Sequence, residues 1–117
     1  EDTILIGHSL GGIFTLRVLE KLPHTIAAAF FVGTPIGIQP IANFKRDNDF
    51  SGFSFNWDVI KSKANHCTVY HSNNDPYVGL ENTLGVTLSL IPNAGQFNEA
   101  AGYRAFDDLY AKIKSLE

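Results

Sequence analysis

The segment Gly7-His8-Ser9-Leu10-Gly11 has the pattern Gly-x-Ser-x-Gly. An apolar run over 3–6 precedes it, and apolar residues at helical spacing over 10–22 follow it. In a strand–turn–helix of this kind the tight turn strains the serine backbone, and only glycines on either side tolerate the crowding. The helix N-terminus then offers the Leu10 backbone N–H to an oxyanion. The motif predicts Ser9 as a nucleophile; the alternative is a glycine-rich turn with an incidental serine.

Three more apolar runs, 25–32, 66–71 and 86–91, each stop at turn residues, and the tail 103–116 has amphipathic helical spacing. Strands that are apolar on both faces and alternate with helices predict an α/β fold, with helices flanking a parallel sheet in one domain over 1–117. In such sheets the chemistry lies beyond the carboxyl ends of the strands. Those ends carry the Ser9 turn and the segments Gly33-Thr34-Pro35, Asn74-Asp75-Pro76 and Gly95-Gln96-Phe97.

Residues 36–58 are unusually aromatic for this chain. Five aromatic side chains lie in this stretch with polar residues between them: Phe44, Phe50, Phe53, Phe55 and Trp57. One interpretation is a loop whose aromatic side chains plug the side of the core. The other is a cap over an apolar pocket, where rigid rings supply contact area for an acyl or aryl group.

Composition narrows the class of protein. Nine basic against twelve acidic residues argue against a nucleic-acid partner, and no apolar run is long enough for a membrane span. The single cysteine, Cys67, cannot form an internal disulfide and is expected to be a buried, inert thiol. With no signal peptide at the start, these features predict a cytoplasmic protein. Because the chain begins at Glu1 and contains no methionine, we expect it to be part of a longer protein.

The chain shows no sequence signal for a metal or a nucleotide. The four histidines have no clustered carboxylate or cysteine partners, so no metal site is predicted. The Gly-x-Gly-x-x-Gly and Walker spacings are both missing, which argues against a nucleotide cofactor.

Four segments occur in one order: Gly7-His8-Ser9-Leu10-Gly11-Gly12, Phe55-Asn56-Trp57-Asp58-Val59-Ile60, Ser72-Asn73-Asn74-Asp75-Pro76-Tyr77-Val78 and Gly95-Gln96-Phe97-Asn98. Together they resemble the retinoblastoma-binding-protein-9-like serine hydrolases of the α/β-hydrolase superfamily. The resemblance implies hydrolysis of carboxylic esters or related acyl compounds without a cofactor. It also implies that the family's N-terminal strands, and the loop giving a second oxyanion donor, would precede this chain.

By position in these motifs, Ser9 matches the family's nucleophile and Asp75 its triad acid. Gln96 stands where the family has its catalytic histidine. We expect Phe53, Phe55, Trp57 and Phe97 to line the substrate pocket. A glutamine amide does not titrate near neutral pH, so it cannot take the serine proton as an imidazole does, although it can hydrogen-bond to the serine and the acid.

Two alternatives remain open at this stage. Gln96 favours a catalytically inactive fold that is kept as a binding or scaffold module for a protein partner. His71 lies four residues before Asp75, so it is either a replacement base or a core histidine.

Overall fold

The computed structural model describes residues 2–34, 55–74 and 87–117. Four strands, β1 (Ile4–His8), β2 (Ile26–Val32), β3 (Ala64–Ser72) and β4 (Thr87–Ile91), form one sheet in the order β1-β2-β3-β4. All three pairings are parallel. The predicted α/β fold with a parallel sheet is therefore confirmed, and the carboxyl ends of the four strands share one edge.

The sheet is covered on both faces because its strands are apolar on both sides. Along β2, Ala29 and Phe31 belong to one buried cluster, which we call the first cluster, together with Ile13, Leu16, Leu19 and Ile60. Ala28, Phe30 and Val32 belong to a second cluster on the other face, together with Tyr70, Phe97 and Leu109. The alternation along β2 is the two-residue period of a strand that is buried on both faces.

Among the described residues, three α-helices flank the sheet: α1 (Leu10–Lys21), α2 (Trp57–Ser62) and α3 (Asp107–Lys114). The first cluster contains side chains from α1 and α2, and the second contains Leu109 of α3. The predicted tail helix begins at residue 107 instead of 103, since Tyr103 and Phe106 contact each other and Phe97 in an aromatic group ahead of the helix. None of the helices in the described ranges is long and apolar enough to cross a membrane.

Helix α2 lies at the end of the segment predicted as an aromatic cap, and the sequence pattern did not predict it. Asn56 caps it, because its Oδ1 accepts a hydrogen bond from the Val59 N–H at 3.2 Å. Six residues are too few to show helical periodicity, so the asparagine before the apolar residues was the available signal. Residues 36–54 of the predicted cap lie outside the described residues.

Candidate active site

Ser9 is the single residue between β1 and α1. Its backbone has φ 53° and ψ −124°, a left-handed φ that few residues other than glycine adopt. Two backbone hydrogen bonds hold the turn. The Ser9 N–H donates to the Val32 carbonyl of β2 at 2.9 Å, and the Gly12 N–H donates to the Ser9 carbonyl at 3.0 Å. The hydroxyl makes no capping hydrogen bond to α1. The strained turn that the sequence predicts is thus present, and the Ser9 hydroxyl does not cap α1.

Gly7 and Gly12, instead of the motif's Gly7 and Gly11, allow the close approach of α1 to the sheet. A Cβ on Gly7 would lie 2.5 Å from the Gly12 Cα, and a Cβ on Gly12 would run into the Thr34 side chain, 2.7 Å from its Cβ. Around Gly11, in the part of the chain that the structure describes, nothing lies within 4 Å of such a Cβ. The prediction is therefore right for Gly7 and wrong for Gly11, since the crowding is at Gly12, where α1 crosses the end of β2.

Leu10 is the first residue of α1, a helix of 12 residues. The first N–H groups of a helix have no partner within it, and the helix dipole makes this end partly positive. The Leu10 N–H therefore lies where an oxyanion beside Ser9 would need a donor. This role for Leu10 stays a prediction.

Gln96 lies in the turn after β4, and the residues around it have positive φ values: 57° at Asn93, 53° at Gly95 and 54° at Phe97. Its side chain is 5% exposed, and its Nε2 donates to the Gly33 carbonyl at 2.8 Å. The Gln96 backbone carbonyl lies 2.6 Å from the His8 Nε2, within hydrogen-bond distance. Residue 96 is thereby fixed against the ends of β1 and β2, at the same edge as Ser9.

The side-chain amide of Gln96 donates its hydrogen bond to the backbone of the fold, at Gly33. Within the described ranges its Oε1 has no hydrogen-bond partner, and no hydrogen bond joins it to Ser9. Asp75, the predicted acid, lies outside the described residues, directly after Asn74 in the sequence. A cavity of about 300 Å³ opens beside Gln96 and is lined by amide side chains, those of Asn74, Asn93 and Asn98.

His71 is completely buried at the carboxyl end of β3. A general base must come within hydrogen-bond reach of the proton that it removes, directly or through one water. Full burial therefore favours the interpretation of His71 as a core histidine.

The predicted pocket residues that the structure describes pack against the two core clusters. The Arg17 guanidinium lies 4.1 Å from the centre of the Phe55 ring, and that ring is 5.1 Å from the ring of Trp57. Arg17 is eight residues beyond Ser9, roughly 12 Å along the helix. Phe97 is 8% exposed and belongs to the second cluster. Phe53 lies outside the described residues, and the pocket role of this group stays a prediction.

Among the described residues, three pKa values depart from their usual range. Burial raises the pKa of the Tyr70 hydroxyl, and the Asp108 carboxylate raises it further. The pKa of Glu20 is lowered, chiefly because its carboxylate accepts the Asn56 backbone N–H at 2.7 Å and also pairs with Arg17 at 2.9 Å. Burial raises the pKa of the Cys67 thiol to about 11. A thiol with so high a pKa is protonated at neutral pH and is a poor nucleophile. Cys67 is half-buried, so the prediction of a buried thiol is met only in part.

The model of the serine hydrolase family matches residues 1–115. The chain belongs to this family. Serine hydrolase RBBP9 of Rattus norvegicus is 26% identical over 118 residues, which cover 99% of this chain and 62% of that protein. The solved ydeN gene product of B. subtilis superposes with a TM-score of 0.87 at 24% identity, over 97% of this chain and 64% of that one. Serine hydrolase CCSP0084 from Cycloclasticus zankles superposes with a TM-score of 0.73 at 14% identity, over 98% of this chain and 64% of that one.

These similarities confirm the predicted resemblance to RBBP9-like α/β-hydrolases. The two solved structures show the shared fold. The chain spans less than two thirds of the length of each of these three relatives.

Proposed function

We propose that this chain carries the nucleophile of a serine hydrolase that acts on carboxylic esters or related acyl compounds. The observation that carries the proposal is the Ser9 turn, in which one residue at φ 53° joins a strand to a helix while its hydroxyl does not cap that helix. This is the local geometry that a nucleophile elbow requires. The family membership supports the same role, and the resemblance to RBBP9 supports Asp75 as the acid.

In the proposed reaction the Ser9 Oγ attacks the acyl carbon, and the Leu10 N–H stabilises the oxyanion that forms. Solvent water takes the hydroxyl proton in place of a side-chain base, and a proton returns to the leaving alkoxide as the ester C–O bond breaks. Water then hydrolyses the acyl-enzyme by the same route. Residue 96 occupies the position of the base, and Gln96 cannot accept this proton. In a serine protease of another fold, loss of the histidine lowers turnover by about 10⁶, or about 8 kcal/mol, so we expect slow turnover here.

A second candidate function is a binding or scaffold module without catalysis. The observation that favours it is the hydrogen bond from the Gln96 Nε2 to the Gly33 carbonyl, because the amide at the base position then serves the fold. In that case the partner would be another protein instead of an acyl substrate.

The two candidates are separated by labelling with a fluorophosphonate probe and by turnover of p-nitrophenyl acetate. We expect slow hydrolysis that Ser9→Ala abolishes, whereas Ser62→Ala, at an exposed serine of α2, leaves it unchanged. We expect Gln96→His to raise turnover by about 10²-fold or more, since general bases contribute 10²–10⁴. No Ser9-dependent hydrolysis or probe labelling, together with no increase in Gln96→His, would instead favour the binding module.

A further inference from the structure

The turn that carries residue 96 is held by side chains from the end of β3. The backbone N–H groups of residues 93–95 in this turn donate to side-chain oxygens of residues 72–74, one hydrogen bond to each residue. We call residues 72–74 the β3 clamp. Its bonds run from Asn93 N to Asn73 Oδ1 at 2.9 Å, from Ala94 N to Ser72 Oγ at 2.9 Å, and from Gly95 N to Asn74 Oδ1 at 2.8 Å.

Ser72 is the centre of the β3 clamp. It is 1% exposed, and its Oγ donates to the Asn74 Oδ1 at 2.6 Å while it accepts from the Ala94 N–H. It also accepts from the Asn74 N–H at 3.3 Å. Removal of this one oxygen would leave the buried Ala94 N–H without its acceptor, and unmet buried donors are costly. The Asn74 Oδ1 would at the same time lose the donor that orients it toward Gly95.

The turn needs such support because its own backbone is strained. Phe97 has a φ of 54°, in the left-handed region that a bulky residue rarely adopts, and Asn93 has a φ of 57°, which asparagine adopts more readily. Strained backbone persists where the surrounding structure determines it. Here the β3 clamp binds the backbone of residues 93–95, and Gln96 itself contacts His8 and Gly33. The ends of β1, β2 and β3 therefore all hold residue 96.

We propose that Ser72 and Asn74 are positioning residues for residue 96. They act through Ala94 and Gly95, which directly precede Gln96, and neither is proposed to touch the substrate. The inference rests on the proposed function, since it treats residue 96 as the position of the base. Near the reacting atoms a displacement of about 1 Å can cost 10²-fold in rate, so the support of this turn has a kinetic effect.

The first arm of the test uses the chain with Gln96 in place. The Gln96 side-chain amide is buried and bonded to the Gly33 carbonyl, so its hydrogen exchange, followed by NMR, reports where residue 96 sits. We expect Ser72→Ala and Asn74→Ala to speed this exchange about tenfold or more. Ser62→Ala removes a serine hydroxyl from exposed α2 and should leave it unchanged. Asn74→Asp keeps an acceptor oxygen and should restore most of the protection.

The second arm repeats these substitutions together with Gln96→His and measures ester hydrolysis. We expect Ser72→Ala and Asn74→Ala to lower kcat by about 10- to 100-fold with KM within about twofold, and Asn74→Asp to recover most of the loss. A merely structural role would not give this division between kcat and KM. Cooperative urea unfolding checks that each variant folds, and Asn74→Ala, at an exposed residue, supplies the test if Ser72→Ala does not fold.

The two arms separate failure of this inference from failure of the proposed function. Unchanged exchange of the Gln96 amide in both alanine variants overturns the inference, whatever the kinetics show. Faster exchange with a Gln96→His protein no more active than the parent leaves the β3 clamp as the support of residue 96 and counts against residue 96 as the position of the base. Faster exchange together with an active Gln96→His protein whose kcat does not respond to the alanine variants overturns the positioning role.

Discussion

Replacement of Gly12 by alanine should destabilise the protein, whereas the same replacement at Gly11 should stabilise it. A Cβ on Gly12 would overlap the Thr34 side chain and lie 2.7 Å from its Cβ, which no side-chain rotation can move away. Overpacking of this kind costs about 1–3 kcal/mol, and we expect the upper end. The helix propensity of alanine offsets about 1 kcal/mol, leaving a net loss of about 2 kcal/mol. Gly11→Ala gains the same helix propensity, and its new Cβ would meet no described atom within 4 Å.

Urea unfolding of the two variants and the parent protein measures this difference as a free energy of unfolding at unchanged m-value. The Gly11→Ala and Gly12→Ala proteins should differ by about 3 kcal/mol. Thr34→Ala removes two of the three overlapping atoms, so in that background Gly12→Ala should cost less by about 1 kcal/mol. Equal stability of the two alanine variants, or strictly additive effects with Thr34→Ala, would refute the packing argument.

Two further predictions concern the shifted pKa values. Because the lowered pKa of Glu20 adds stability only while its carboxylate is charged, Glu20→Gln should be less stable than the parent near neutral pH. Urea unfolding between pH 3 and 7 should show this difference shrinking as pH falls from about 4.5 through the lowered pKa; a constant difference would contradict it. Since burial raises the pKa of Cys67 to about 11, iodoacetamide should label the folded protein only as pH approaches that value, and stability should fall as pH rises from about 9. Mass spectrometry measures the extent of Cys67 labelling, and labelling of the folded protein at pH 8 equal to that of the unfolded chain would contradict the raised pKa.

The strands could be predicted from the sequence because each is a continuous apolar run bounded by turn residues. The parallel sheet followed from their alternation with helices, and the strained Ser9 turn followed from a motif whose mechanics are local. The tail helix was predicted four residues too early at its start. Tyr103 and Phe106 have helical spacing, but contact with Phe97 determines their conformation.

Much of the candidate site could not be predicted, because its contacts join residues far apart in the chain. Gly33 and Gln96 are 63 positions apart, and no local pattern predicts that the amide of one bonds to the carbonyl of the other. Residues 72–74 were predicted as a turn and as part of a family motif, since asparagine and serine are common in turns for local reasons. Ser72 is instead the last residue of β3. The use of residues 72–74 as acceptors for the turn after β4 depends on β3 and β4 being neighbours.

The order of strands also bears on how the sheet assembles during folding. Each strand pairs with its successor in the chain, so Val69 of β3 meets Leu88, 19 residues on, while Ala28 of β2 meets His66, 38 residues on. A doubling of the loop raises the entropic cost of closure by only about 0.6 kcal/mol. Chain connectivity thus discriminates little between these two pairings. We expect the rate-limiting nucleus to form around β2, whose residues Ala28 to Phe31 are fully shielded from solvent.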